Sequence, residues 1–320
     1  MRPLRVLITG GAGFIGSHLG DRLLADGHEV VVIDNLATGK REDVPAKAKF
    51  VSGDVSKVAE LEPAFEQHGP IDAVCHIAGQ VSLIKSFTDP TLDLRTNVEG
   101  TVNVLMQCVK RKVSRVLYAS SMTVYGGSDA VRPPEDGPCW PISYYGITKL
   151  AGERYAHVTS ERSDLTHPLN VTSFRMYNVY GPRQALDNPY QGVLGIFLGN
   201  LARGEKVKIF GDGEQSRDFV YVGDVVDAWA RALGDERAYG QVFNLGSGKR
   251  MSINALADVA ARAFDQTKAD VVVHEPARPG EQRQVEADTT KIERVLGWRA
   301  KTSFEDGFGE TVRWARGAKN

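Results

Sequence analysis

The chain has 320 residues, 39 Lys plus Arg against 40 Asp plus Glu, and 42% hydrophobic residues, giving a formal net charge of −1. Ordinary apolar and charged fractions exclude a disordered or fibrous chain, and the balanced charge lacks the basic field that draws a protein to nucleic acid. The length allows two domains or one large domain with an elaborated end, and no uninterrupted apolar run approaches the roughly 20 residues that span a bilayer.

In chain order, Leu4 to Thr9, Glu29 to Ile33, Lys49 to Ser52, Ala73 to Ile77, Arg115 to Ser120 and Val171 to Arg175 read as short β-branched strands. Segments near 14–26, 57–67, 91–111 and 143–162 between them read as helices. Continuous apolar strands separated by helix-length crossovers predict a parallel sheet covered on both faces, a doubly wound α/β architecture. After Asn178 a segment punctuated by proline and glycine, Gly181 to Gly192, precedes a predicted helix from Val193 to Arg203 and a strand from Lys206 to Phe210. Gly240 to Gly246 reads as a strand that could rejoin the first sheet, so the lobes are expected to interleave: 1–178 with that strand, and most of 179–320. The polar tail beyond Trp314 is expected to fray. Cys75, Cys108 and Cys139 are far apart and odd in number, which suggests neither a disulfide framework nor a metal site. With no cleavage-site pattern near Arg2 and Arg5, the expectation is a soluble protein of a reducing, cytoplasmic compartment.

Directly after the first strand comes Gly10-Gly11-Ala12-Gly13-Phe14-Ile15-Gly16, opening a helix with apolar Ile15, Leu19, Leu23 and Leu24. Glycines at this spacing let the backbone turn tightly against a pyrophosphate, which the free N–H groups of the helix start attract. Asp34 ends the second strand, where a carboxylate accepts from the adenosine ribose hydroxyls, and its charge together with Asn35 and Leu36 favours NAD over NADP. Lys40 and Arg41 on the following loop act against that preference. Asp54 has two readings, a contact to the adenine amino group or a cap on the following helix.

Tyr145 and Lys149 form a YxxxK pair whose spacing puts both side chains on one helix face. A neighbouring ammonium and a positive nicotinamide ring favour the phenolate, bringing a pKa of about 10 toward the working range. The segment Tyr118 to Gly126 delivers serine and threonine hydroxyls to the carboxyl edge of the sheet, where this fold binds ligands. Together the motifs specify hydride transfer at a carbinol carbon.

With these motifs, His76-Ile77-Ala78-Gly79-Gln80, Asn97-Val98-Glu99-Gly100-Thr101, Tyr177 to Pro182, Gly211-Asp212-Gly213 through Val220, and Arg278-Pro279-Gly280-Glu281, the chain resembles the extended short-chain dehydrogenases/reductases acting on nucleotide sugars. Within them it is most similar to the UDP-glucose 4-epimerases, over nearly its whole length. The resemblance implies a redox-neutral reaction with tightly held NAD. Tyr145 would take the proton of the sugar 4-hydroxyl, Ser121 would share that hydrogen bond, and Lys149 would hold the nicotinamide ribose. To the cofactor it assigns Gly10, Gly13, Phe14, Ile15, Gly16, Asp34, Asn35, Thr38, Gly39, Asp54, Val55, Ile77, Ala78, Gly79, Gln80, Asn97 and Tyr177, with Tyr145 and Lys149. To a UDP-sugar it assigns Asn178, Val193, Leu194, Arg217, Arg278 and Glu281, with Ser121 and Tyr145. It also implies a homodimer through the helix carrying Tyr145 and the one near 91–111, with no metal, nucleic-acid or membrane partner.

Met122, Gly79 and Phe219 depart from the residues usual in that family and alter pocket shape rather than chemistry. Val285 falls where side-chain bulk limits the sugar 2-substituent, and its medium size admits N-acetylated as well as plain hexoses. The acid pair of the dehydratases and the glutamate of the UDP-glucuronate decarboxylases are missing at Met122-Thr123. A UDP-glucuronate 4-epimerase, with hydroxyls or Arg183 on the carboxylate, remains an alternative. A non-catalytic NAD-binding regulator would lack Tyr145 or Lys149. Arg183 and Arg283 read equally as ligand contacts or solvated charges. His76 and Cys75 are expected in the core, His157 and His167 in solvent, and Trp229, Trp298 and Trp314 in packing.

Overall fold

A computed structural model describes residues 2–128, 130–186, 192–277 and 283–317. Its main sheet contains β1 (Arg5–Thr9), β2 (Glu29–Asp34), β3 (Lys49–Ser52), β4 (Ala73–His76), β5 (Arg115–Ser121), β6 (Asn170–Met176) and β10 (Val242–Leu245). All its pairings are parallel, in the order β10-β6-β5-β4-β1-β2-β3. The order reverses between β1 and β4, which opens a crevice at their carboxyl ends.

Strand side chains alternate, so each strand feeds two cores. Val6 and Ile8 join α1 (Phe14–Ala25) and α8 (Val222–Leu233) through Leu19, Leu23 and Trp229. Leu7 joins α2 (Val58–Glu66), α5 (Gly100–Lys110) and α6 (Tyr144–Ser160) through Leu61, Phe65, Val104 and Ala156. Each such aliphatic side chain contributes about 1.5–3 kcal/mol on burial, so both faces must be covered.

The predicted helix near 91–111 is built in pieces. After α3 (Leu83–Thr88), α4 (Pro90–Leu94) passes into a π turn, Arg95–Glu99, before α5 begins. The Gly100 N–H reaches back to the Arg95 carbonyl, and the Thr101 hydroxyl donates to the Asn97 carbonyl at 2.6 Å, which supports the widened turn. Asn97 sits in that turn, 1% exposed.

The second lobe surrounds its own core. β7 (Asn178–Tyr180), β9 (Ser216–Tyr221) and β11 (Arg250–Ser252) form one small sheet, and β8 (Val207–Phe210) pairs with β12 (Val272–Glu275). Phe197, Leu198 and Leu201 of α7 (Val193–Ala202), Leu256 of α9 (Ile253–Arg262) and Phe308 of α12 (Phe304–Gly317) fill the space between them. The short α10 (Lys268–Val271) and α11 (Thr290–Leu296) complete the chain. The fraying expected beyond Trp314 gives way to helix as far as Gly317, because Val312 and Ala315 are buried and Arg316 donates to the Ala263 carbonyl. His157, expected in solvent, is buried on α6 with Nε2 3.0 Å from the Ser173 hydroxyl.

Candidate active site

The glycine turn is held by backbone packing that leaves no room for side chains. Gly10 has φ +70°, donates to the Ile33 carbonyl at 2.8 Å, and would place a Cβ 2.8 Å from the Ala78 nitrogen. A Cβ at Gly16 would overlap the Gly10 carbonyl oxygen, and one at Gly39 would lie 2.7 Å from the Ala12 backbone. Gly13 is the N-cap of α1 and no side chain caps that end, so the first N–H groups, from Phe14 and Ile15, have no helical partner. Both Phe14 and Ile15 pack partly against the first core.

Asp34 is 8% exposed, and its two oxygens accept from the Ala12 N–H at 3.0 Å and the Leu36 N–H at 2.8 Å. Burial pushes this carboxyl up and the two N–H bonds oppose it. Each oxygen keeps a second acceptor site for a ribose hydroxyl. Asn35 donates to Asp54 at 3.1 Å, tying the ends of β2 and β3. Asp54 also accepts from the Ser56 N–H and hydroxyl, which outweigh its burial and hold it below the usual carboxylate range. The capping reading of Asp54 is overturned, because Lys57 is the N-cap of α2. Thr38 is exposed beside Gly39, and Val55 is buried where its Cγ2 closes on Gly100. Arg41 lies over the Phe50 ring at 4.5 Å.

Across the crevice, the N–H groups of Ile77 and Ala78 donate to the Thr9 carbonyl. Asn97 clamps the next turn, its Oδ1 accepting from the Gln80 N–H at 2.8 Å and its Nδ2 donating to the Gln80 carbonyl and the Thr148 hydroxyl, each at 3.1 Å. A Cβ at Gly79 would lie 2.9 Å from Asn97 Oδ1 and 3.4 Å from Lys149 Nζ, so glycine leaves room around both.

Ser121 ends β5, 7% exposed, with its hydroxyl near the Tyr145 phenol on the first turn of α6. Its Oγ also accepts from Thr123. Ser143 caps α6 by accepting from the Gly146 N–H at 3.0 Å, which fixes where Tyr145 begins the helix. Burial pushes the Tyr145 phenol up to about 12, opposed by the neighbouring Ser121 hydroxyl, and pushes Lys149 down to about 8. The expected lowering of Tyr145 is therefore not produced by the protein frame alone. Lys149 Nζ stands 5.2 Å over the Tyr118 ring.

Tyr177 is 5% exposed, and its buried hydroxyl has no hydrogen-bond partner among the described residues. It forms a small apolar wall with Met122, Val285 and Ala287. An orphaned hydroxyl here, the backbone cradle at Gly10 to Gly16 and the spare acceptors of Asp34 fit a dinucleotide.

On the other side of the crevice, Asn178 donates to the Asp218 carbonyl at 3.0 Å, and Arg217, half-buried on β9, donates to the Ser216 carbonyl at 2.9 Å. Asp218 is fully buried and gathers the N–H groups of Ser247, Gly248 and Ala287, which anchors the segment carrying Val285. The Leu194 side chain, 2% exposed, belongs to the second core, and Val193 packs against it. What α7 offers a ligand is therefore the uncapped N–H groups of its first turn. Arg278 and Glu281 lie outside the described residues. Arg183 binds Asp21 at 2.7 Å, and Arg283 binds both oxygens of Asp212. No group of His, Cys, Asp and Glu among the described residues could hold a metal ion.

Two buried polar groups beside the site escape sequence reading. Asp93 accepts from Gln80 and Thr148, and Glu153 accepts from Ser120 at 2.6 Å and from Arg175 at 2.6 and 3.1 Å. Asp93 stands four residues before Asn97, and Glu153 four after Lys149, so helical spacing from known motifs was the available signal.

A parallel sheet with a glycine turn at its switch point, and a tyrosine and lysine one helical turn apart beside it, define a class of nicotinamide-dinucleotide enzymes. The chain belongs to the NAD dependent epimerase/dehydratase family, whose model matches residues 6–246, and NAD is its cofactor. It is 38% identical to the UDP-glucose 4-epimerase of Mycolicibacterium smegmatis over 98% of this chain and 99% of that one. It is 32% identical to a UDP-N-acetyl-alpha-D-glucosaminuronate decarboxylase of Bacillus cytotoxicus, over 99% of both. The crystal structure of the Thermotoga maritima UDP-glucose 4-epimerase with UDP-glucose superposes with a TM-score of 0.92 at 36% identity, covering 99% of this chain and all of that one. No helix among the described residues is long and apolar enough to cross a membrane.

Proposed function

We propose that the chain interconverts the C4 epimers of a UDP-hexose, plain or N-acetylated, through a 4-keto sugar. The observation that carries this reading is the placement of Tyr145 on the first turn of α6, with Lys149 buried one turn along and Ser121 nearby at the carboxyl end of β5. NAD, when bound, would supply reversible hydride acceptance at the carbinol carbon and a positive ring that favours the Tyr145 phenolate. Tyr145 takes the proton of the 4-hydroxyl and gives it back, while Ser121 holds the same oxygen in line. Lys149 holds the nicotinamide ribose, Asp34 the adenosine ribose, and the N–H groups at the start of α1 the pyrophosphate. Tyr177, Ile77, Ala78, Gly79, Gln80 and Asn97 form the walls around the nicotinamide half, and Asn35, Thr38, Gly39, Asp54 and Val55 the adenosine end.

The second lobe is the substrate side. Asn178, Arg217 and Arg278 meet the UDP diphosphate, Glu281 the uridine ribose, and the first-turn N–H groups of α7 the nucleoside. A planar guanidinium suits this because it donates two hydrogen bonds to one phosphate. Val285, against Met122 and Tyr177, leaves a wall of medium bulk beside the sugar.

The surface of α6 and its neighbours suits a homodimer. Tyr144, Ile147, Tyr155 and Val158 form an exposed stripe along α6, continued by Phe87 on α3, Leu94 on α4 and Met106 on α5. An apolar face of this extent is buried when two copies pair their helices.

The test is to offer purified protein UDP-glucose, UDP-N-acetylglucosamine and UDP-glucuronate without added NAD and to identify products by NMR. Epimers of the first two support the reading. Loss of carbon dioxide from UDP-glucuronate, or no turnover across the panel, overturns it. An epimer formed only from UDP-glucuronate would move the substrate to the uronic acids.

A further inference from the structure

The reaction proposed above gives no part to Asp93, a carboxylate buried beside the Tyr145–Lys149 pair. Asp93 lies on α4 with 0% of its surface exposed. One oxygen accepts from Gln80 Nε2 at 2.5 Å and the other from the Thr148 hydroxyl at 2.7 Å. Thr148 precedes Lys149 in the chain, and its hydroxyl also receives Asn97 Nδ2 at 3.1 Å. The same Asn97 amide lines the space beside Gly79 into which Lys149 Nζ projects. Both donors to Asp93 are neutral, and the hydrogen-bond network that holds it leads through Thr148 and Asn97 to a buried cation, Lys149, 4% exposed.

We propose that Asp93 is the buried counter-charge of the Tyr145–Lys149 pair, a positioning residue that acts through Thr148 and Asn97 and sets the pH range in which the pair works. Its sign follows from Coulomb's law. A negative charge next to two acids makes both hold their protons to higher pH, by keeping Lys149 cationic and by opposing the Tyr145 phenolate.

The other charged groups around Asp93 do not compete in the neutral range. His76, facing Lys149 from β4, is pushed down to about 3, by burial first and then by the Lys149 charge. Tyr118, on β5, is driven up by burial far beyond the assay range. Lys85 on α3, and Asp89, Arg95 and Glu99 flanking Asp93 along the chain, are exposed to solvent.

The proposal rests on the reading of Tyr145 as the base, and the test separates the two. Asp93→Asn removes the charge and keeps the shape. In that variant both limbs of the turnover–pH profile should move to lower pH by roughly one unit. Tyrosinate absorbance of the holoenzyme, with Tyr145→Phe as the blank, should appear at correspondingly lower pH. Thr148→Val, which cuts one hydrogen bond and keeps the charge, should lower turnover and leave both limbs in place. A merely structural Asp93 would cost turnover with unmoved limbs, and that result, or a shift to higher pH, overturns the proposal.

If Asp93→Asn alone does not fold, Asp93→Asn with Lys149→Met is compared with Lys149→Met. Tyrosinate must again form at lower pH in the double variant, and equal titrations overturn the proposal. The tyrosinate measurement needs no sugar, so failure of every nucleotide sugar to react would sink the proposed function while leaving the role of Asp93 decided.

Discussion

Burying Lys149 costs stability, and Lys149→Met measures how much. The ammonium is 4% exposed and is pushed from its ordinary 10.5 down to about 8 by burial, with Asp93 opposing. At about 1.4 kcal/mol per unit, that fall amounts to roughly 3 kcal/mol of destabilisation wherever the lysine is charged in both states. Methionine fills similar volume without a charge, so the nucleotide-free variant should be more stable than the parent at pH 7. Loss of the contact with the Tyr118 ring, about 0.5–2 kcal/mol, trims the net gain to about 1–2.5 kcal/mol.

The pH dependence carries the sign. Between about 8 and 10.5 the unfolded lysine still holds its proton while the folded one has released it, so parental stability rises with pH across that window. The advantage of Lys149→Met should therefore be full below pH 8 and fade toward pH 10.5. Urea denaturation of both proteins at several pH values reads this directly. A variant no more stable than the parent at neutral pH, or a gain constant across the window, would refute the reasoning. The same substitution should abolish turnover, a trade of activity for stability.

Tyr145→Phe should lower epimerase turnover by at least about 1,000-fold while leaving nucleotide affinity within a few-fold, because only the proton-transfer group is lost. Equilibrium binding with single-turnover kinetics checks this, and retention of most of the rate would remove Tyr145 as the base. Gly16→Ala should release NAD on purification, since its Cβ overlaps the Gly10 carbonyl and forces the turn open. Bound nucleotide, measured by absorbance after denaturation, is the readout. Glu153→Gln should destabilise by about 3–5 kcal/mol, because it strands an Arg175 guanidinium that is 5% exposed. Glu153→Met with Arg175→Met should recover most of that loss in denaturant melts, since neither charge is then left unpaired.

The elements most legible in the sequence were those with local causes. The strands of the first half announce themselves by β-branched runs, and the glycine turn by residues that must all stand within seven positions. The π turn at Arg95–Glu99 was hidden because its amphipathic spacing differs from an α-helix by one residue, and the bond that supports it comes from Thr101. Leu194 spends its side chain in the second core, which leaves only its backbone to a ligand, a distinction that position in the chain does not make. Asp54 looked like a cap because of its distance from the helix, but a turn in which the Lys57 N–H donates to the Asp54 carbonyl places Lys57 there instead.

The sequence by itself determined the doubly wound class, the glycine turn with its acid, and the one-turn spacing of Tyr145 and Lys149, because these depend on neighbours a few residues apart. Tertiary structure alone decided which groups share the buried space. It set Asp93 against Thr148, bound Glu153 to Ser120 and Arg175, and paired Arg183 with Asp21. The physical reason is desolvation. A carboxylate in solvent and one stripped of water have the same letter in a sequence, and only the packing of distant segments sets the charge each will bear.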